Sequence, residues 1–141
     1  MPIIEKRIVR DVIALEDTTP VAQAAQLMAE RKIGSVGVRR GGKLVGLVTE
    51  RDLVWRVLAK GDGAAKTLGD VMRDGPTVTP SSTERDCAHL MQLHATRHLL
   101  VKDGGNLVGV ISMLDVIELM LEDNRFLIEQ LHTFIRGGRG G

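Results

Sequence analysis

An internal repeat constrains this chain more than any other feature of its sequence. When the chain is shifted by 63 residues, residues 8–58 align with residues 71–121 without a gap, and 13 of the 51 aligned positions are identical. The longest match places Gly41–Gly46 against Gly104–Gly109, where the pattern Gly-Gly-x-Leu-Val-Gly recurs. A match at one fixed period is typical of a duplicated supersecondary unit. We therefore predict two copies of one unit in the chain.

Each copy has the same predicted order of elements. In copy one, an extended segment at Ile13–Leu15 precedes a helix that ends near Arg31, with Thr19 as its N-cap and Pro20 at its first position. In copy two, Ser81 and Glu84 form a predicted capping box. Two strands joined by a glycine pair follow in each copy, because paired glycines suit a tight hairpin. The predicted strands are Ser35–Arg39, Leu44–Val48, Leu99–Lys102 and Leu107–Ile111, and the second helices begin near Glu50 and Met113.

The predicted fold class is α/β, with two β-α-β-β-α repeats packed about a pseudo-two-fold axis and a C-terminal helix. One unit is too short to bury a good core alone, so the two repeats should pack together. This packing leaves two equivalent clefts at the strand-to-helix junctions. The predicted boundaries are 7–60 for repeat 1, Gly61–Lys66 for the linker, 67–122 for repeat 2, 123–136 for a helical extension and 137–141 for a flexible glycine-rich tail.

The helical extension carries a broad apolar stripe. Two interpretations remain open: an end helix packed on its own core, or a dimer contact that lies outside the repeat. The apolar residues of the stripe are Leu119, Leu121, Phe126, Leu127, Ile128, Leu131, Phe134 and Ile135.

The composition disfavours several classes of protein. Nineteen basic and 18 acidic residues give a net charge of +1, and aromatic residues make up only 2%, so a nucleic-acid partner is not expected. Cys87 is the only cysteine, which excludes an intrachain disulfide and a thiolate-rich zinc site. The sequence contains no run of 18 apolar residues that would predict a membrane span, and the N-terminus has no secretory signal pattern. We therefore expect a soluble, cytoplasmic protein.

The two junctions carry the residues of greatest chemical interest. Thr49 and Asp52 in copy one, and Ser112 and Asp115 in copy two, stand where a predicted strand ends and a helix begins. Such a Ser/Thr-x-x-Asp element can simply cap a helix. It can also hold a nucleotide, because a helix N-terminus attracts a phosphate and a carboxylate can accept both hydroxyls of a ribose. Both roles can coexist.

Other candidate sites are weaker. His94 and His98 are four residues apart, but the repeat places His98 in a strand, where this spacing does not form a metal site. Cys87 falls on the apolar face of its helix, as a buried and inert thiol would. The sequence shows no nucleophile-and-base pattern, so an enzyme acting on a nucleotide is a minor alternative.

The junction segments resemble a known family. Leu44–Asp52 and Leu107–Asp115 are similar to the G-h-h-S/T-x-x-D signature (h, apolar) of the CBS domain, named after cystathionine β-synthase. Asp11–Ile13 with Thr18–Pro20 resembles the opening strand of that family, and Thr96–Val101 resembles its second strand. The resemblance covers residues 7–122, and Arg125–Arg136 is similar to the tail of small stand-alone bacterial members. A tandem pair of this kind resembles a Bateman module, an adenosine-ligand sensor.

The resemblance implies a role for each cleft residue. Asp52 and Asp115 would bind the ribose diol, and Thr49 and Ser112 would hold phosphate or ribose. In the cleft of Asp115, the backbone near Ile13 and the Ile33–Gly34 turn would face the adenine, Val110 would pack on it, and Arg97 and His98 would lie near the phosphates. The other cleft would use Ser35, Leu47, Pro76, Thr77 and Thr96. Copy one has Gly34 and Ser35 where copy two has Arg97 and His98, so we expect a charged ligand in the cleft of Asp115.

The implied function is that of a non-enzymatic regulatory module. It would bind AMP, ADP, ATP or a NAD-type compound as a regulatory ligand, with no catalytic cofactor and no metal. It would form a homodimer and signal to an unidentified effector protein. The alternative is a structural interaction module that binds no ligand and whose Ser/Thr-x-x-Asp elements only cap helices.

Overall fold

The two copies of the repeat share the order β-α-β-β-α, and copy two begins with one additional short helix. The computed structural model describes residues 3–61, 63, 65–72 and 75–138. A 3-10 turn at Glu5–Arg7 precedes copy one, which contains β1 (Ala14–Glu16), α1 (Val21–Arg31), β2 (Ser35–Arg40), β3 (Lys43–Thr49) and α2 (Glu50–Leu53). Helix α2 continues as a π-helical stretch, Val54–Leu58. Copy two contains α3 (Leu68–Val71), β4 (Thr77–Val78), α4 (Glu84–Leu93), β5 (His98–Asp103), β6 (Asn106–Ser112) and α5 (Met113–Gly138).

Each copy forms a three-stranded sheet of the same topology. Strand β1 runs parallel to β2, and β2 pairs antiparallel with β3. Strands β4, β5 and β6 repeat this arrangement. The paired glycines at both hairpin tips have positive φ, with values of 59° and 79° at Gly41 and Gly42 and of 59° and 85° at Gly104 and Gly105. The predicted β-α-β-β-α unit and its glycine hairpins are therefore confirmed.

Three apolar clusters form the core of the protein. Each sheet packs on helices of its own copy, and the core of copy one also contains Leu68 and Val71 of α3. The matching positions Ala24 and Cys87 are both fully buried. A third cluster lies between the two sheets and joins Leu47 of β3 to Leu100 of β5 and Val110 of β6. The two repeats thus share a core, as the shortness of one unit requires.

The N-terminal segment of copy one packs on copy two. Ile4 is fully buried in the core of copy two, and its N–H donates to the carbonyl of Ser82 at 2.9 Å. Val9 and Val110 form an antiparallel bridge with two backbone hydrogen bonds of 2.9 and 3.0 Å. The segment that precedes β1 therefore adds to the sheet and to the core of repeat 2.

Two predicted helix starts are wrong. Thr19 does not cap α1, because Pro20 itself occupies the N-cap position and the N–H of Val21 donates to the carbonyl of Lys66 at 2.8 Å. The chain that leads into copy two thus satisfies this helix end in place of a side chain. In copy two the capping box is formed by Thr83 and Asp86 instead of Ser81 and Glu84.

The segments at the repeat boundaries also differ from expectation. A short helix, α3, follows the described part of the linker, and its Leu68 is fully buried. Helix α5 runs through the predicted boundary at residue 122 without a break, so the extension continues the second helix of copy two. Gly137 and Gly138 lie within α5, whereas 139–141 lie outside the described residues. In the described part of the chain, no helix has both the length and the apolar character needed to cross a bilayer.

Candidate functional site

Both junctions form complete capping boxes. The Asp52 Oδ2 atom accepts hydrogen bonds from the Thr49 N–H at 2.9 Å and the Thr49 hydroxyl at 3.1 Å. The Asp115 Oδ2 atom accepts from the Ser112 N–H at 3.0 Å and the Ser112 hydroxyl at 2.8 Å. In each box the aspartate N–H donates back to the hydroxyl oxygen, at 3.3 and 3.2 Å. Each carboxylate is thereby held at the N-terminus of its helix with a defined orientation.

The capping box alone does not mark a cleft. Thr67 and Asp70 form the same box at the start of α3, and Thr83 and Asp86 form it at the start of α4. None of these four residues lines the two clefts described below. The cavity beside a box, and not the box, must therefore distinguish a ligand site from a helix start.

The junction in copy two opens into a large cleft, the Asp115 cleft, of about 540 Å³. This volume lies in the range of small-molecule sites. The structure brings together all eight residues predicted for this cleft: Ile13, Ile33, Gly34, Arg97, His98, Val110, Ser112 and Asp115. Seven further residues line it: Val9, Asp11, Val12, Ser35, Glu50, Met113 and Leu114.

The junction in copy one opens into a much smaller cavity, the Asp52 cleft, of about 110 Å³. Five of the seven residues predicted for it are present: Leu47, Thr49, Asp52, Pro76 and Thr96. Its remaining lining residues are Gly75, His94, His98 and Leu100.

Two residues predicted for the Asp52 cleft lie elsewhere. Ser35 lines the Asp115 cleft, because it directly follows the Ile33–Gly34 turn that forms one wall there. Thr77 lines a groove between the hairpins. Successive side chains of an extended segment point to opposite sides, so when Pro76 faces the Asp52 cleft its neighbour does not.

The two carboxylates differ in accessibility. Asp52 is 3% exposed and Thr49 is 7% exposed, whereas Asp115 and Ser112 are half-buried. The predicted equivalence of the clefts is therefore wrong in this structure. A sugar can reach Asp115 from solvent, whereas side chains cover Asp52.

His98 stands between the clefts and lines both of them. Burial lowers the pKa of His98 below its usual 6.5, and the guanidinium of Arg97 acts in the same direction. The carboxylates of Glu50 and Asp115 oppose this shift only in part. The imidazole is therefore neutral at pH 7, and an anion placed beside it would favour its protonation.

Glu50 is a cleft residue that the sequence reasoning missed. Its N–H donates to the carbonyl of Gly34 at 3.0 Å, and the corresponding N–H of Met113 donates to the carbonyl of Arg97 at 2.8 Å. A Cβ atom added at Gly34 would lie 3.4 Å from both the Glu50 Oε1 and the His98 Cε1 atoms. The repeat itself carried the signal, because Glu50 and Met113 occupy equivalent positions after the hydroxyl residue.

The charged groups of the Asp115 cleft are mostly acidic. Among its described lining residues, Asp11, Glu50 and Asp115 carry carboxylates, and Arg97 carries a guanidinium. The described residues contain no group of three or more His, Cys, Asp or Glu side chains placed to hold a metal ion. The polar groups of this cleft are suited to sugar hydroxyls and to a small number of phosphate charges.

A third cavity of about 230 Å³ adjoins the clefts and shares Thr49, Arg97 and His98 with them. One wall is Trp55, which is 52% exposed and carries the Arg51 guanidinium 5.3 Å from its ring centre. Arg51 also donates to the carbonyl of Ala95 at 2.6 Å, so this contact crosses between the two copies.

The fold and the clefts define a module of two α/β repeats with a ligand-sized cavity at a strand-to-helix junction. The family model of the CBS domain matches the chain twice, at residues 5–59 and 68–122. The chain therefore belongs to the CBS-domain family, with two domains in tandem.

Relatives at the level of sequence and structure agree with this assignment. The mitochondrial CBS domain-containing protein CBSX3 of Arabidopsis thaliana is 29% identical over 126 residues, which cover 84% of this chain and 61% of that protein. Inosine-5'-monophosphate dehydrogenase of Thermoplasma acidophilum is 37% identical over 116 residues, which cover 80% of this chain and 22% of the enzyme. The chain thus spans less than two thirds of CBSX3 and about a fifth of the dehydrogenase. A solved structure of a protein with CBS domains from Burkholderia ambifaria is 34% identical, with a TM-score of 0.75 over 85% of this chain and 92% of that chain.

Proposed function

We propose that this chain is a regulatory module that binds one adenosine-containing ligand, and that the Asp115 cleft is the binding site. The observation that carries the proposal is the cavity of about 540 Å³, which is lined by every residue for which the family resemblance implies a ligand contact there. The volume suits a nucleoside with a short phosphate group.

The roles of the residues follow from their chemistry. Asp115 is half-buried and already oriented by Ser112, so its carboxylate can accept hydrogen bonds from both ribose hydroxyls. Val110 and Ile13 offer apolar surface for the adenine, and Arg97 offers a guanidinium for a phosphate. The N-terminus of α5, which starts at this cleft, adds positive potential.

Among the predicted ligands AMP, ADP, ATP and NAD-type compounds, the charges of the Asp115 cleft favour one with few phosphates. Three carboxylates and one guanidinium are among the described lining residues. Each additional phosphate would add charge repulsion that a single arginine does not offset. We therefore expect AMP to bind more tightly than ATP at pH 7.

Titration with AMP, ADP, ATP and NAD tests this proposal by calorimetry and by thermal unfolding. AMP at 100 times its dissociation constant should stabilise the protein by roughly 2.7 kcal/mol. Asp115→Ala should abolish this gain. Asp86→Ala is the matched control, because it removes the same kind of capping box at a helix that does not line the cleft. An unchanged AMP response in Asp115→Ala would refute the site.

A second candidate function is a structural module that binds no nucleotide. The four capping boxes and the small, covered Asp52 cleft support it, since helix capping alone accounts for these hydrogen bonds. The same titration separates the two candidates. A thermal unfolding curve that no adenine compound shifts at millimolar concentration would favour the structural module.

A regulatory role requires that the ligand favour one arrangement of the module over another. We propose that a separate effector protein reads this difference. The described chain offers exposed apolar surface near the clefts for such a contact, at Val54, Trp55 and Leu58.

A further inference from the structure

A groove with a volume of about 890 Å³ runs between the two hairpins. Its lining includes the segments 42–45 and 105–108, so both copies contribute the same part of the repeat. We call it the hairpin groove. It lies where β3 and β6 begin, whereas the Asp115 and Asp52 clefts lie where these strands end. The hairpin groove and the Asp115 cleft share only Val12 among their described lining residues.

The helical extension offers an open surface of a different kind. Every residue from Leu121 to Ile135 is exposed, so the interpretation that the extension packs on its own core is wrong. Its stripe is apolar, and the dimer contact stays a prediction for it. The hairpin groove is charged, and it therefore requires a partner of different chemistry.

The charges of the hairpin groove are all of one sign. Arg10, Arg39, Lys43 and Lys102 line it, and its described lining residues include no carboxylate. Arg39 and Lys102 occupy equivalent positions in the two copies. Arg39 is half-buried and the other three cations are exposed, so all four are accessible to a ligand. Cations gathered in one groove repel each other and attract an anion.

The described chain does not neutralise these cations. None of the four side chains has a hydrogen-bond or ion-pair partner among the residues that the structure describes. The carboxylates next to them in the sequence or in the sheet lie elsewhere. Asp11 lines the Asp115 cleft, and Glu16 and Asp103 are not among the lining residues of the groove. A partner that brings carboxylates would therefore form ion pairs without displacing any from this chain.

The floor of the hairpin groove is apolar. Leu100 is 7% exposed and belongs to the cluster between the two sheets, and Val12, Leu44 and Leu107 pack against this cluster. All four residues line the groove. No aromatic side chain is among its described lining residues, so the groove offers no surface on which nucleic-acid bases could stack. The matching partner has both anionic and apolar groups.

We propose that the hairpin groove binds an acidic segment of a partner protein, in which apolar residues stand between aspartate and glutamate residues. The carboxylates of this segment pair with the four cations, and its apolar side chains cover the floor. An inorganic polyanion would use the charges alone and leave the floor exposed. The inference does not rest on the proposed adenosine ligand, because the groove lies at the opposite end of β3 and β6 from the clefts.

Selection from a random peptide library displayed on phage tests the proposal with the full chain. The recovered peptides should be enriched in aspartate and glutamate together with leucine, isoleucine and valine. One recovered peptide is then synthesised with a fluorescent label, and its Kd is measured by anisotropy. Arg39→Glu with Lys102→Glu should raise this Kd roughly tenfold, because each reversal replaces attraction by repulsion. Lys60→Glu with Arg85→Glu is the matched control, since it changes the net charge equally at two exposed positions outside the groove and should leave the Kd unchanged.

A milder variant keeps the test independent of the folding of the reversed one. Arg39→Gln with Lys102→Gln removes the two charges without repulsion and should raise the Kd by roughly threefold. Recovered peptides without acidic enrichment, or a Kd that rises equally in the control variant, would reject the groove as the binding surface.

Two competitors test the nature of the occupant. A peptide with serine in place of its apolar residues should bind more weakly than its parent. Equal binding of the two peptides, or full displacement by an equal concentration of inorganic tripolyphosphate, would assign the groove to a small polyanion and overturn the proposal. Stronger competition by single-stranded oligothymidylate than by the unlabelled peptide would assign it to nucleic acid, with the same consequence.

Discussion

Gly109 and Gly46 occupy the same position in the two repeats but have different neighbours, and this difference leads to a sharp prediction. A Cβ atom at Gly109 would lie 2.6 Å from the carbonyl oxygen of Val9, which is backbone. A Cβ atom at Gly46 would lie 2.8 Å from the Sδ atom of Met72, at the flexible end of a side chain. Neither glycine has a positive φ, so alanine introduces steric contact without backbone strain.

The expected cost of Gly109→Ala follows from these contacts. Carbonyl and Cβ must separate to about 3.5 Å, so the Val9 segment must retreat by roughly 0.9 Å. This movement disrupts the two hydrogen bonds of the Val9–Val110 bridge, at about 0.5–1.5 kcal/mol each. Alanine in a strand recovers about 0.5–1 kcal/mol relative to glycine. We expect a net loss of about 1–2 kcal/mol for Gly109→Ala and a change near zero for Gly46→Ala, since Met72 can turn away.

Urea unfolding of both variants measures these free energies, and the thermal midpoint should fall by about 3 °C per kcal/mol for a chain of this length. Amide hydrogen exchange provides the local readout: the N–H groups of Val9 and Val110 should lose protection in Gly109→Ala alone. Equal stabilities of the two variants, with both amides still protected, would refute the argument from the backbone contact.

Three further predictions concern side chains that are buried or half-buried. The pKa of His98 is lowered in the folded protein, so as the pH falls the imidazole takes up a proton in the unfolded chain before it does so in the folded one. The free energy of unfolding should therefore fall between pH 7.5 and 6.0, and it should fall less in His98→Gln. Burial raises the pKa of Cys87 to about 11, so a thiol reagent at pH 8 should label it only when the protein unfolds. Leu99→Ala should cost about 2–5 kcal/mol in urea unfolding, because Leu99 is 1% exposed.

Much of the fold could be predicted because the two copies of the repeat can be aligned with each other. Aligned glycines located both hairpins, and the position of Ala24 against Cys87 placed two small side chains in equivalent cores. The helix starts were harder to predict. Thr19 had the right residue type for an N-cap, but the carbonyl of Lys66, distant in sequence, satisfies the helix end instead.

The residues of the candidate site could also be predicted only in part. The eight residues expected in the Asp115 cleft do line one cavity, since each follows from its place in the repeat. The prediction that Ser35 and Thr77 line the Asp52 cleft was wrong. The cavity that each side chain lines depends on how the backbone leaves a turn and on the alternation of side chains along an extended segment. Glu50 was missed, since its role depends on the approach of the Gly34 turn to His98.

The sequence by itself determined the duplicated unit, its hairpins and the two aspartates at the helix starts, because these depend on local spacing and on glycine conformation. Only the tertiary structure decided that the two junctions differ in the exposure of the aspartate and in the size of the adjoining cavity. Asp52 is 3% exposed beside a cavity of about 110 Å³, whereas Asp115 is half-buried at a cavity of about 540 Å³. The repeat gives the two sites similar residues. Of the two clefts, the N-terminal segment and the start of α5 nevertheless line only the Asp115 cleft.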